Sequence, residues 1–295
     1  MNIEIELQKI RDDHYSGSNE ILQQYIDLLK NQYIKGDLKS AYDKNFLLKN
    51  LSQLQLVHPS FFTVQHFLKD VITILRSGKR DWHHKLSYFL KEYELKWKDI
   101  NKYIAAKAES YFILTQKTIL VHSNSSTIKS LFRLHKPDAK KINLIQTESR
   151  PVMEGHLQAE YLSDLGYQVT VIADSAISLY TDKIDMALLG ADAIGKDFFI
   201  NKIGSHLIAL VCQESGIPLY VLADSRKLWI NQGLTDISIP AENPKPENEL
   251  WDNPPAGVHP ENFYFDSTPN KRVDLFITES EAITGKEIKH LKTKS

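Results

Sequence analysis

The chain is poor in the residues that staple or metallate small folds. Of 295 residues one is cysteine, Cys212, and three are methionine. A single cysteine excludes a disulfide framework and any cysteine-based zinc site. Charge of one sign is also missing: 36 basic against 37 acidic residues leave a net charge of -1, with no global attraction to nucleic acid or to an anionic membrane. No stretch approaches the ~18 uninterrupted apolar residues of a membrane helix. The opening MNIEIELQKIRDD carries early acids and no apolar core, which fits neither a signal peptide nor an Arg-rich transit peptide. A cytoplasmic protein is expected. The eleven histidines are scattered, and there is no HExxH, EF-hand loop, GxGxxG or P-loop. Neither a metal nor a cofactor is expected. What is present, 42% hydrophobic and 10% aromatic content, belongs to a folded protein, and the length allows roughly one to three domains.

The pattern changes near residue 115, so we expect a helical domain over 1–115 and an α/β domain over 116–295. In the first, Ser18 suits a helix cap with Glu20 in the favourable first turn. Ile21, Tyr25, Leu28 and Leu29 then recur at helical spacing. Further helices are expected around Phe46–Leu56, after His58-Pro59-Ser60, and from Asp81 to Phe112 with a break. The aromatics of that last stretch, Trp82 to Tyr103, read as a core or partner-helix face.

Beyond residue 115 short apolar runs at 118–122, 142–146, 169–173, 184–189, 218–222 and 273–277 alternate with helical stretches at 126–134, 153–165 and 201–215. Runs rich in Val, Ile and Leu are how strands buried on both faces of a parallel sheet look. The series is βαβ, an open α/β sheet, whose ligands bind beyond the carboxyl ends of the strands. Chemistry is therefore expected at His122–Thr127, Thr147–Arg150, Asp174, Gly190–Asp192 and Asp224. Six of the eleven prolines fall between 240 and 260, which marks a long loop.

Three of these segments invite an anion. His122-Ser123-Asn124-Ser125-Ser126-Thr127 leaves a strand and opens a helix; its backbone N–H groups, with Ser125 and Ser126, suit a phosphate, or form no more than a well-capped helix. Arg150, just before Pro151, offers a planar fork for phosphate, with Glu148 placed to orient it or accept a sugar hydroxyl. Gly190-Ala191-Asp192 allows close approach of a ligand and puts Asp192 forward as a general base. Asn201-Lys202-Ile203-Gly204-Ser205 is expected to open the next helix, with Lys202 adding a phosphate charge at its N-terminus. Cys212, inside HLIALVCQES, reads as a buried small hydrophobe.

Taken in order, ESRP (148–151), VTVIADSA (169–176), GADAI (190–194), NKIGS (201–205), PLYVLADSRK (218–227), FDSTP (265–269) and ITE (277–279) resemble the translation initiation factor 2B alpha/beta/delta superfamily. That family includes ribose-1,5-bisphosphate isomerase and methylthioribose-1-phosphate isomerase. The resemblance is strong over about 116–280 and extends weakly to RDDHYSGSNE (11–20). It implies an N-terminal helical domain, a Rossmann-like C-terminal domain, a homodimer or related oligomer, and a site between the domains. It also implies that Asp192 shares proton work and that Arg150, Lys202 and Asn201 bind substrate. The chain departs from the isomerases where their cysteine stands, which here is Ser123. Their N-terminal Arg-Gly-Ala is here Ser16-Gly17-Ser18, with Gly17 kept as a substrate-side position, and an Arg-Pro pair is His58-Pro59. A hydroxyl is a far weaker acid than a thiol of pKa about 8.5. The expected function is thus a regulatory-subunit-like protein binding a small phosphorylated ligand, a sugar phosphate or nucleotide. The alternatives are an aldose–ketose isomerase of a C1-phosphorylated ribose-type sugar, and an interaction protein with a vestigial pocket.

Overall fold

A computed structural model describes residues 3–13, 16–31, 41–55, 61–77, 81–228 and 244–290. The chain forms two compact units, Met1–Asp99 and Ile100–Ser295. Among the described residues no helix is long and apolar enough to cross a membrane.

The first unit is helical: α1 (Ile3–Arg11), α2 (Ser18–Leu29), α3 (Ala41–Leu54), α4 (Phe62–Arg76) and α5 (Trp82–Trp97). Apolar residues at helical spacing put one face of each helix into a shared core, with Ile21, Tyr25, Leu51, Phe67 and Val71 at its centre. The aromatic stripe splits by face. Phe89 and Tyr93 lie against Phe67, with ring centroids 5.9 and 5.1 Å from it, while Tyr88 is exposed. Helix α2 starts one residue earlier than Ser18 as a cap predicts. Gly17 occupies the cap, its N–H donates to Glu20 Oε2 at 3.2 Å, and Ser18 is buried in the first turn. The pair His58-Pro59 lies outside the described residues.

The second unit opens with α6 (Ile100–Ala108), the far side of the break expected in 81–112. It packs on α7 (Ser126–Leu134), and Thr127 Oγ1 donates to Asn101 Oδ1 at 3.0 Å. Then follow β1 (Thr118–Val121), β2 (Asn143–Thr147), α8 (Gly155–Asp164), β3 (Gln168–Ile172), β4 (Met186–Leu189), β5 (Ala193–Ile194), β6 (Phe198–Lys202), α9 (Ser205–Ser215), β7 (Leu219–Leu222), β8 (Phe265–Pro269), β9 (Leu275–Ile277) and β10 (Ala282–Ile283). The main sheet runs β10-β9-β7-β4-β1-β2-β3, parallel except for β10. This is the α/β architecture expected from the sequence. Central strands β1, β2 and β4 are buried nearly throughout. The run 169–173 is not buried on both faces: β3 is the edge strand, and Gln168, Thr170 and Val171 are exposed.

A second, antiparallel sheet, β5-β6-β8, is not anticipated by the βαβ pattern. It corrects the expectation for Asn201 and Lys202. Both end strand β6, opposite Asp266 and Phe265, and α9 begins only at Ser205. Gly204, at φ +104°, makes the turn between them.

Candidate functional site

The strand order reverses direction at β1, flanked by β4 on one side and β2 on the other. A crevice at such a switch point is where open α/β sheets bind ligands. Three turns converge there: Val121 is in register with both Gln146 and Leu188, so the chain leaves β1, β2 and β4 at one level. Gly190 is required by this convergence, because a Cβ there would meet Ser125 Oγ at 2.9 Å.

Ser123, in the left-handed region at φ 65°, is tied to the neighbouring turn by its N–H, which donates to Ser149 Oγ at 2.8 Å. Its hydroxyl donates to Glu154 Oε1 at 3.0 Å. Lys202 Nζ meets the same oxygen at 3.0 Å, with the two side chains 5% and 8% exposed. Burial raises the Glu154 pKa and Lys202 works against that rise. Glu154 is the residue that sequence reading passed over. Its position six residues beyond Glu148, in a helix-opening Val-Met-Glu-Gly, carries no signal until β1 and β6 are brought beside it.

His122 is not an activator of Ser123. It is buried, with Nε2 2.9 Å from the carbonyl of Ile203 and Nδ1 2.5 Å from Thr147 Oγ1. A carbonyl only accepts, so Nε2 carries the proton and Nδ1 accepts from the threonine. Burial holds this imidazole neutral, with its pKa down at about 4.

Arg150 stands at the end of β2 in a turn fixed by Asp174. Asp174 Oδ1 accepts from Ser149 N–H at 2.8 Å, and Oδ2 from Arg150 N–H at 2.7 Å. The Arg150 guanidinium donates to the carbonyls of Glu249 and Leu250 at 3.4 and 3.3 Å. The proline-rich loop expected at 240–260 therefore lies against the site where it is described, from Pro244 on. Just beyond the loop, Tyr264 donates to Glu249 through its hydroxyl at 2.6 Å, and its ring lies 5.0 Å from Lys202 Nζ. Glu148 is half-buried and its N–H pairs with Ile172.

Asp192 follows β4; its N–H pairs with Ile200, and its Oδ1 lies 4.0 Å from Lys227 Nζ. Beside it Asp224, fully buried, forms a two-pronged pair with Arg226 at 2.9 and 3.1 Å. Burial alone would raise the Asp224 pKa, but Arg226 and Lys227 outweigh it and hold the carboxyl below its ordinary range. Ser125 caps α7, accepting from Ile128 N–H at 3.4 Å, while its own N–H donates to Gln158; Ser126 is the first helical residue.

The N-terminus of α9 is not the phosphate site expected there. Asp266 Oδ2 already accepts from Gly204 N–H at 2.9 Å and His206 N–H at 3.1 Å. Asn201 is turned to Ser205, donating to its Oγ at 2.8 Å. Gly17 belongs to the first unit. Among the described residues no group of three or more His, Cys, Asp or Glu is arranged to hold a metal ion. Burial pushes the Cys212 thiol up to about 12, which leaves it an inert core residue.

A mostly parallel open sheet with polar turns gathered at its switch point defines an α/β protein of the class whose ligands bind beyond the carboxyl ends of the strands. The chain belongs to the Initiation factor 2 subunit family, whose pattern matches residues 15–285. It is 28% identical to ribose 1,5-bisphosphate isomerase of Pyrococcus furiosus, over 94% of this chain and 88% of that protein. It is 34% identical to the protein of that name from Archaeoglobus fulgidus, over 56% of this chain and 53% of that one; the chain thus aligns with about half the length of that relative. The fold is shared with the Pyrococcus horikoshii translation initiation factor eIF-2B, at a TM-score of 0.76 and 24% identity over 96% of each chain. It is also that of 5-methylthioribose 1-phosphate isomerase from P. horikoshii, at 0.74 and 21% over 97% of this chain and 86% of that one.

Proposed function

We propose that this chain is a regulatory-subunit-like member of its family that binds a sugar phosphate or nucleotide at the carboxyl ends of β1, β2 and β4. It would act in the cytoplasm as a homodimer or related oligomer, without cofactor and without direct nucleic-acid contact. The observation that carries the reading is Arg150. Its backbone is clamped by Asp174, and among the described residues its guanidinium meets only neutral carbonyl oxygens. A phosphate offers it charge-assisted, two-pronged bonds that carbonyls cannot match. Ser125, Ser126, Glu148 and Asn201 are proposed to flank the ligand. Phosphorus NMR with ribose 1,5-bisphosphate, methylthioribose 1-phosphate, ribose 1-phosphate, fructose 6-phosphate and AMP tests it. Broadening without a new signal, abolished by Arg150→Ala, is expected for at least one. Unchanged spectra for all five would remove the reading for these ligands.

One observation favours the second reading, an aldose–ketose isomerase with Ser123 and Asp192 as its proton-transfer groups. The Ser123 hydroxyl has a buried carboxylate, Glu154, as its hydrogen-bond acceptor. A new phosphorus signal growing with time, and lost in Asp192→Asn, would establish turnover. Gain of turnover in Ser123→Cys alone would mean that the site lacks no more than its thiol.

A further inference from the structure

Resting on the phosphate-binding reading above, we propose that Glu154 is a specificity-determining residue. By holding Lys202 in a buried ion pair it withholds that cation from ligands, and so confines the site to one phosphoryl group, that of a sugar or nucleoside monophosphate.

The argument is one of charge and burial. Three cations near the carboxyl ends of β4, β6 and β7 each have a carboxylate. Lys202 has Glu154 at 3.0 Å, Arg226 has Asp224 at 2.9 Å, and Lys227 has Asp192 at 4.0 Å. Glu154 depends on Lys202. Both of its donors, Lys202 and Ser123, meet Oε1, and Oε2 is buried without a hydrogen-bond partner. If Lys202 swung toward a ligand it would abandon an uncompensated buried charge, which proteins tolerate poorly. The Tyr264 ring at 5.0 Å holds the ammonium from another side.

Arg150 and Lys202 belong to one network. Ser123 bonds to Ser149, next to Arg150, and to Glu154, the partner of Lys202. Glu249 accepts from Arg150 with its carbonyl and from Tyr264 with its carboxylate. A monophosphate carries about -1.5 to -2 charges at neutral pH. One guanidinium fork matches one such group, and a second phosphoryl would find Lys202 already neutralised.

The test is titration calorimetry of the full chain with ribose 5-phosphate and ribose 1,5-bisphosphate. Wild type is expected to bind the two within about threefold of each other. Glu154→Gln keeps the shape and the acceptor for Ser123 but frees Lys202. It should strengthen bisphosphate binding at least tenfold, with ribose 5-phosphate changed less than threefold, and Lys202→Met in that background should cancel the gain. If Glu154→Gln does not fold, the double variant Glu154→Gln/Lys202→Met decides: wild-type affinity for both probes supports the inference, and a tenfold loss of bisphosphate affinity overturns it. Wild type binding the bisphosphate tenfold more tightly, or a Glu154→Gln variant with an unchanged ratio, overturns it while leaving the binding reading intact. No binding of either probe to wild type or variant overturns both.

Discussion

At the scale of the residue, the site is built from side chains whose neighbours decide their chemistry. His122 is the clearest case. Its folded pKa of about 4 lies below the ordinary histidine value of 6.5, so between those values the unfolded chain binds a proton that the folded chain refuses. Stability is therefore fully present above about 6.5 and is lost as pH falls toward 4. Urea midpoints measured from pH 4 to 7 should rise with pH, and His122→Asn should flatten that slope. Gly155 is constrained differently. A Cβ there would stand 2.0 Å from the carbonyl oxygen of Thr147, backbone that cannot yield cheaply. Gly155→Ala is expected to cost about 1–3 kcal/mol, the range for overpacking, read from the shift in urea midpoint. Neither constraint is visible in the residue names. His122 follows β1 with its ring turned to Thr147 and Ile203 rather than to Ser123.

At the scale of the element, the turns after the strands matter more than the strands. The β2 turn carrying Arg150 is held by both oxygens of Asp174, which follows β3. Asp174→Asn replaces one acceptor with a donor. It should destabilise by about 1–3 kcal/mol, the cost of leaving a buried group unsatisfied, and should weaken phosphate binding, because the Arg150 backbone loses its anchor. Denaturant unfolding and a phosphate titration on the same variant check both. In the first unit, α4 depends on Phe67, wholly buried between α5 aromatics. Phe67→Ala should cost about 3–5 kcal/mol, seen as a lower urea midpoint. Element type was readable wherever apolar spacing was strong, as in α4 and in β1, β2 and β4. It failed at 201–202, the end of a short antiparallel strand that has no periodicity of its own and is paired there by β8, over sixty residues later.

At the scale of the whole molecule, ligand binding and stability are linked. Anything that binds the folded chain alone stabilises it, by about 2.7 kcal/mol at a hundredfold excess over Kd. Saturating ribose 5-phosphate should raise Tm by several degrees in thermal unfolding, and Arg150→Ala should lose that rise. The two units have separate hydrophobic cores, and every residue of the Arg150–Glu154–Lys202 network lies in the second. A rise in Tm that survives Arg150→Ala would place the ligand elsewhere.

The sequence by itself determined the class of fold, the family, and the strand ends on which polar chemistry would gather. Those properties follow from apolar periodicity, turn residues and ordered motifs, which are local. Only the tertiary structure decided which charges remain for a ligand. Lys202 looks like a phosphate cation beside Gly204 and Ser205 in the chain; folded, it is neutralised by Glu154, forty-eight positions away. The α9 N-terminus looks open to an anion and is filled by Asp266. Ion pairs of this kind are set by burial and by distances between elements, and neither is written in the spacing of residues along one chain.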